Sequence, residues 1–243
     1  FLVVLLLLSS NASAGCWIDP DKDGHVTIGE SIPRSAFKSC EKLKSVTLTP
    51  SVTSIDQDAF QSCENLNQIV IPKSVSSVGS YAFQGCSSLA HVDIDARSIG
   101  TYAFSGAGVQ TLLIGESVSS IDSRAFEGCS GLRNLTLNSS TLASSLESSS
   151  SYYYSTAFSQ FRSTLTKLVV GSAVSSIGTY KFNQFASLRY VEIPSSVTQI
   201  GSNAFGGCSA LRDIDAGATT FLGSYAFHTC MNLATVNISS ITS

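Results

Sequence analysis

Leu66-Asn67-Gln68-Ile69-Val70-Ile71-Pro72-Lys73-Ser74-Val75-Ser76-Ser77-Val78-Gly79-Ser80-Tyr81-Ala82-Phe83-Gln84-Gly85-Cys86 is the stretch whose reading decides the fold. It is one copy of a phrase. The copy before it runs Leu43, Val46, Leu48, Pro50, Val52, Ile55, Ala59, Phe60, Cys63. The Ala-Phe pair closes eight copies, and Lys181-Phe182 closes a ninth. Phe60 follows Phe37 by 23 residues, and Phe83 follows Phe60 by 23. Phe104, Phe126, Phe158, Phe182, Phe205 and Phe227 follow at 21, 22, 32, 24, 23 and 22. A near-constant period of this size marks a solenoid. It directs function toward an extended surface rather than a catalytic pocket.

Each unit has two parts. An alternating run such as Leu188-Arg189-Tyr190-Val191-Glu192-Ile193 reads as a half-buried strand, and Pro-x-Ser or Gly-x-Ser ends it. The second part spaces its apolar residues by three and four, which predicts an extended lead-in followed by one tight helical turn. One unit buries too few apolar side chains to offset the entropy of ordering its backbone. Units must therefore stack, with leucines, isoleucines and phenylalanines in continuous columns. One parallel strand per repeat is expected, centred near Thr47, Val70, Asp93, Leu113, Thr136, Val169, Glu192, Asp215 and Asn237.

The phrase resembles the BspA-like leucine-rich repeats, from about Val26 to Ile241. That resemblance implies an α/β repeat class dominated by β-structure. The expected form is a right-handed solenoid with one parallel sheet, and with short strands or tight helical turns on its other faces. It also implies a secreted or cell-surface protein used for adhesion or protein binding. The chain departs from the pattern at Ala107, Phe161 and Phe185, which replace the repeat cysteine, and at Lys181, which replaces the alanine. The first copy, Val26 to Phe37, is about three residues short and reads as a degenerate cap.

Only 13% of residues are charged, and the net charge is −3. That lacks the clustered Lys and Arg that nucleic acid requires. Residues 1–14 combine the apolar run Phe1 to Leu8 with Ala12-Ser13-Ala14, the form of a signal peptide h-region and cleavage site, too short for a membrane span. Residues 15–25 form an acidic turn, and 26–243 the array of about nine repeats, with an insertion near 139–155. No initiator methionine or basic segment precedes Phe1, and the chain stops mid-phrase after Ile241, so the sequence reads as a fragment of a longer secreted or surface protein. An alternative is a lipoprotein anchored at Cys16, although Ser13 stands where such a site usually has leucine.

Six of the seven cysteines share one slot: Cys40, Cys63, Cys86, Cys129, Cys208 and Cys230. Two readings stand. The slot is a buried column in which Cys acts as a small hydrophobe, or neighbouring cysteines cross-link in an oxidising compartment, since strands about 4.8 Å apart suit a disulfide. Nothing has zinc-ligand spacing. Asp19, Asp21, Asp23 and Glu30 match the calcium positions of an EF-hand loop, with Gly24 at its sixth place. No helix precedes them, and Val26-Thr27-Ile28 reads as a first strand that pulls Glu30 away, so an Asp/Gly turn is the preferred reading and no metal or cofactor is expected. Tyr81, Tyr102 and Tyr225 recur before Ala-Phe and read as structural.

The outward strand positions are the partner-binding candidates: Val70, Asp93, Leu113, Val169, Glu192 and Asp215. The insertion adds Tyr152, Tyr153 and Tyr154 beside a serine run, a composition suited to recognition. Asn134, Asn138 and Asn237 head N-glycosylation sequons. The reading is a non-enzymatic binding or adhesion module for a protein or glycoprotein. Alternatives are a spacer projecting another domain, or an accessory repeat region of a larger enzyme.

Overall fold

The computed structural model describes residues 15–144 and 157–238. In them ten short strands form one parallel sheet. They are His25–Ile28, Ser45–Leu48, Gln68–Ile71, His91–Ile94, Thr111–Ile114, Asn134–Leu137, Lys167–Val170, Tyr190–Glu192, Asp213–Asp215 and Thr235–Asn237. Each pairs with the strand of the next repeat. The nine expected centres lie in these strands, and Val26-Thr27-Ile28 supplies the first one. Register keeps like over like: Val92, Leu112, Leu135, Leu168, Val191 and Ile214 are consecutive partners. All six are buried. Parallel strands need a crossover between them, and the rest of each repeat is that crossover.

The crossover holds the short strands expected on the other faces, so each regular repeat carries two strands. The second has two residues and builds separate ladders: Ser54–Ile55, Ser77–Val78, Ser98–Ile99 and Ser120–Ile121, then Ser176–Ile177, Gln199–Ile200 and Phe221–Leu222. The expected tight helical turn around Ala-Phe is a chain of β-turns instead. Ala82, Gln84 and Cys86 do donate to the carbonyl three residues back, as a helical turn would. Tyr81 at φ 61° and Gly85 at φ 72° break the helical path. These left-handed residues turn the N–H groups of Tyr81, Phe83 and Gly85 outward, onto the carbonyls of Thr101, Ala103 and Ser105 at 3.1, 2.6 and 2.9 Å. Bonds within a helix are thus exchanged for bonds between repeats, which keep these N–H groups paired.

The core is columnar. The rings of Phe37, Phe60, Phe83 and Phe104 stack with centroids 5.0–5.1 Å apart and planes within 8°. Phe126 continues the stack, and Phe182, Phe205 and Phe227 form a second one. The cysteine slot beside them is a thiol column. Cys63 donates its S–H to the Phe37 carbonyl of the preceding repeat at 2.9 Å. Cys86, Cys129, Cys208 and Cys230 do the same toward Phe60, Phe104, Phe182 and Phe205. Cysteine is small enough to fit under the ring and polar enough to bond the carbonyl.

Burial pushes the thiols of Cys63, Cys129 and Cys208 up to about 12. In the unfolded chain they ionise near the ordinary value of about 8.5. Their contribution to stability is therefore whole below about pH 8.5 and is lost as pH rises toward 12. The urea midpoint should fall between pH 8 and pH 10.5. The decline should be shallower in the triple variant Cys63→Ala, Cys129→Ala, Cys208→Ala. An equal decline in the triple variant would assign the alkaline loss to other groups.

The insertion disturbs two faces and spares the third. On the sheet, Asn134–Leu137 pairs with Lys167–Val170 in unbroken register. The two-residue ladder stops after Ser120–Ile121 and resumes at Ser176–Ile177. Between them the short helix Ser140–Ser144 takes the missing place. The carbonyl of its buried Ala143 accepts the Gly178 N–H at 2.7 Å, as Ile55 accepts that of Gly79. Ser139 starts the helix by accepting the Leu142 N–H on its hydroxyl, which donates in turn to the Val118 carbonyl. On the turn face Phe161, not Phe158, meets Phe126, with centroids 6.0 Å apart and planes 59° apart. A 3₁₀ turn, Ser159–Phe161, swings it in. Both phenylalanines are buried.

The first repeat is covered by residues ahead of it. Cys16 forms a disulfide with Cys40. Lipid anchoring at Cys16 would use the same sulfur, so the disulfide and the anchor are mutually exclusive alternatives. Trp17 lies edge-on against Phe37 with centroids 6.1 Å apart. The other five cysteines are unbridged. The column is thus a small-hydrophobe column that closes in a cross-link only at its first member.

Candidate functional site

Alternation along each strand places two residues outward, and parallel register lines them up into files. Val70, Asp93, Leu113, Thr136, Val169, Glu192, Asp215 and Asn237 are consecutive partners in one file. Six partner-binding candidates read from the sequence, Val70, Asp93, Leu113, Val169, Glu192 and Asp215, therefore share one face. Val70 is 61% exposed. Lys167 reaches Glu192 on the next strand at 2.6 Å, an exposed pair that adds little stability. Asp215 accepts the Gly217 N–H and the Asn237 side-chain amide, both at 3.1 Å.

A second file runs beside the first: His91, Thr111, Asn134, Lys167, Tyr190 and Asp213. The sequence reading did not single it out as a partner surface. The signal was present, because residues two apart on a strand share a face. Its most conspicuous member is Tyr190, 57% exposed. Asn134 is exposed on this file, so a glycan there would crowd the sheet.

The sheet dips where the strands Gln68–Ile71, His91–Ile94 and Thr111–Ile114 end, forming a shallow concavity of about 500 Å³. Val70, Asp93 and Leu113 line it together with Lys73, Asp95 and Glu116. Asp95 is fixed in place, since its carboxylate accepts the Ser117 N–H at 2.8 Å. The carboxylate lies across Gly115, where a Cβ would collide with it. Neither Lys73, Asp95 nor Glu116 stood out in the sequence. They belong to loops, whose convergence depends on stacking rather than on spacing along the chain.

The remaining candidates fall elsewhere. Tyr152, Tyr153 and Tyr154 lie outside the described residues. The flanking residues do not adjoin the sheet: Ser144 ends the helix beside the two-residue ladder, and Ala157 begins the turn face. Tyr81 and Tyr102 stack with centroids 5.3 Å apart, and Arg124 donates to the Tyr102 hydroxyl. Tyr225 is 68% exposed, against His228.

At the acidic turn, Asp21 accepts the N–H groups of Asp23 and His25, both at 2.9 Å. The His25 bond is the main cause holding its carboxyl below the usual range. Glu30 lies beyond the strand His25–Ile28 and is exposed. Among the described residues no three His, Cys, Asp or Glu side chains converge as a metal would require. Titration calorimetry with calcium should give no sub-micromolar site at Asp19, Asp21, Asp23 and Glu30. Such an affinity, lost in Asp21→Ala, would overturn the turn reading.

A family model described as the BspA type leucine rich repeat region, in six copies, matches residues 27–133 and 151–243. The chain belongs to that family. No curated protein matches the chain. Among solved structures it is similar to a leucine rich cell surface protein from Faecalibacterium prausnitzii A2-165, at 23% identity over 87% of this chain and 71% of that one, with a TM-score of 0.39. It is similar to the pneumococcal vaccine antigen PcpA at 16% identity, over 92% and 72%, with a TM-score of 0.45. A third likeness is the leucine rich repeat protein of T. pallidum, at 23% identity over 88% and 85%, with a TM-score of 0.38. No helix among the described residues is long and apolar enough to cross a membrane.

Proposed function

We propose that this BspA type repeat chain is a non-enzymatic binding or adhesion module, secreted or on the cell surface, that engages a protein or glycoprotein along its sheet face. The observation that carries the reading is the ten-stranded sheet itself. Its outward files cross the insertion without a break, whereas the two-residue ladder is interrupted there. A continuous, regularly spaced surface suits many modest contacts with a few stronger anchors. The Cys16–Cys40 disulfide supports an oxidising, extracytoplasmic setting, as does the signal-like segment in 1–14. Tyr152, Tyr153 and Tyr154 are assigned a separate contact on the insertion.

The test is capture from an extracellular-matrix or cell-surface extract by three proteins. Thr47→Trp, Val70→Arg and Glu192→Arg together should abolish capture of the partner that the unaltered chain retains. Ser120→Arg with Gln199→Arg, on the two-residue ladders, should leave it intact. If the ladder variant loses the partner and the sheet variant keeps it, the sheet-face reading is wrong. If neither changes capture, the chain is better read as a spacer.

A further inference from the structure

We infer that the concavity at the ends of Gln68–Ile71, His91–Ile94 and Thr111–Ile114 is a subsite for a basic peptide segment, a proposal that rests on the sheet-face reading above. Three features of the site specify that occupant. The first is its apolar floor. Val70, 61% exposed, and Leu113 stand on either side of Asp93, on adjacent strands of one file. An exposed valine in this position offers a bed for an aliphatic stem.

The second feature is charge. Asp93, Asp95 and Glu116 line the same concavity against the single cation Lys73. None of the three carboxylates has an ion-pair partner among the described residues, in contrast to Glu192 three strands beyond Leu113, which holds Lys167. Asp95 cannot turn away, because the Ser117 N–H holds it over Gly115. The ligand that matches is a lysine or arginine side chain, whose stem packs on apolar surface while its head meets carboxylate. A neutral glycan or an acidic segment would leave the carboxylates unpaired or repelled.

The third is length. Asn138, on the far side of Thr111–Ile114, also lines the site, so it spans four strands. At about 4.8 Å between strands the span is roughly 14 Å, the length of four or five extended residues at about 3.3 Å each. An extended peptide presents alternate side chains to one side, so two cationic residues separated by one other reach the site together.

The experiment titrates the isotope-labelled chain with the capped peptide Ala-Lys-Ala-Lys-Ala and follows backbone amide shifts. Shifts should centre on Asp93, Asp95, Leu113 and Gly115, and binding should weaken as salt rises. Asp93→Asn with Glu116→Gln should weaken the peptide at least tenfold. Glu64→Gln with Glu127→Gln, the same change of net charge on exposed residues away from the sheet, should change it less than twofold. Equal loss in both double variants, equal binding of Ala-Glu-Ala-Glu-Ala, or shifts centred elsewhere would overturn the subsite. Should the peptide fail while the sheet variant above still loses its partner, only this subsite falls and the sheet-face reading stands.

Discussion

Phe83→Ala should lower the free energy of unfolding by about 3–5 kcal/mol in denaturant melts. Phe83 is fully buried. Its ring lies between two others, with centroids 5.0 Å from both Phe60 and Phe104. Removing it forfeits the burial of one aromatic side chain and leaves a cavity walled by two rings. Those walls cannot collapse, because backbone bonds set the spacing of the repeats: Phe60 to Ala82 at 2.7 Å and Phe83 to Ala103 at 2.6 Å. A site that cannot relax sits at the costly end of large-to-small substitutions. Phe221→Ala is the control, since that side chain is 57% exposed, and it should cost below about 1 kcal/mol. A loss below about 1 kcal/mol for Phe83→Ala as well would show that the stack is not a principal source of stability.

The second large effect concerns the covered end. Breaking the Cys16–Cys40 bond should cost about 3 kcal/mol, given a separation of 24 residues. In a chain of this size that corresponds to a melting temperature lower by roughly 6–12 °C. The disulfide ties the segment carrying Trp17 to the first repeat. The Trp17 ring covers Phe37, and its backbone N–H donates to the Ala36 carbonyl at 2.6 Å. With the tie cut, the edge of Phe37 opens to water and the strand His25–Ile28 becomes the weak end of the array. Amide exchange should accelerate from Val26 to Phe37 and hardly change beyond Phe104. The paired substitution Cys16→Ser with Cys40→Ser, and reduction by dithiothreitol, are the two ways to cut it. If both leave the melting temperature and the exchange of the first repeat unchanged, the disulfide is not what secures that end.

The repeat was legible from the sequence because it is written in residues that do one job each. Leu, Val and Ile in alternation specify strands, and Phe at a fixed interval specifies a column. A fixed period admits only stacking as the way to bury both. The outward file Val70, Asp93, Leu113, Val169, Glu192 and Asp215 followed from the same alternation, with no need of coordinates. What the sequence did not disclose depends on contacts between repeats. The apparent helical turn around Ala82-Phe83 becomes a β-turn chain because N–H groups find carbonyls in the next repeat, 20 residues away. The thiol column is tied to phenylalanine carbonyls in the preceding repeat, 25 or 26 residues away in sequence. Phe161 displaces Phe158 from the stack because the insertion must rejoin a register that the sheet has already set. Cys16 meets Cys40, and Lys73, Asp95 and Glu116 meet one another, only because stacking carries them together. Spacing along the chain determines which face a residue occupies. Which residues meet across faces and between repeats is decided by the stacking, and only the tertiary structure contains it.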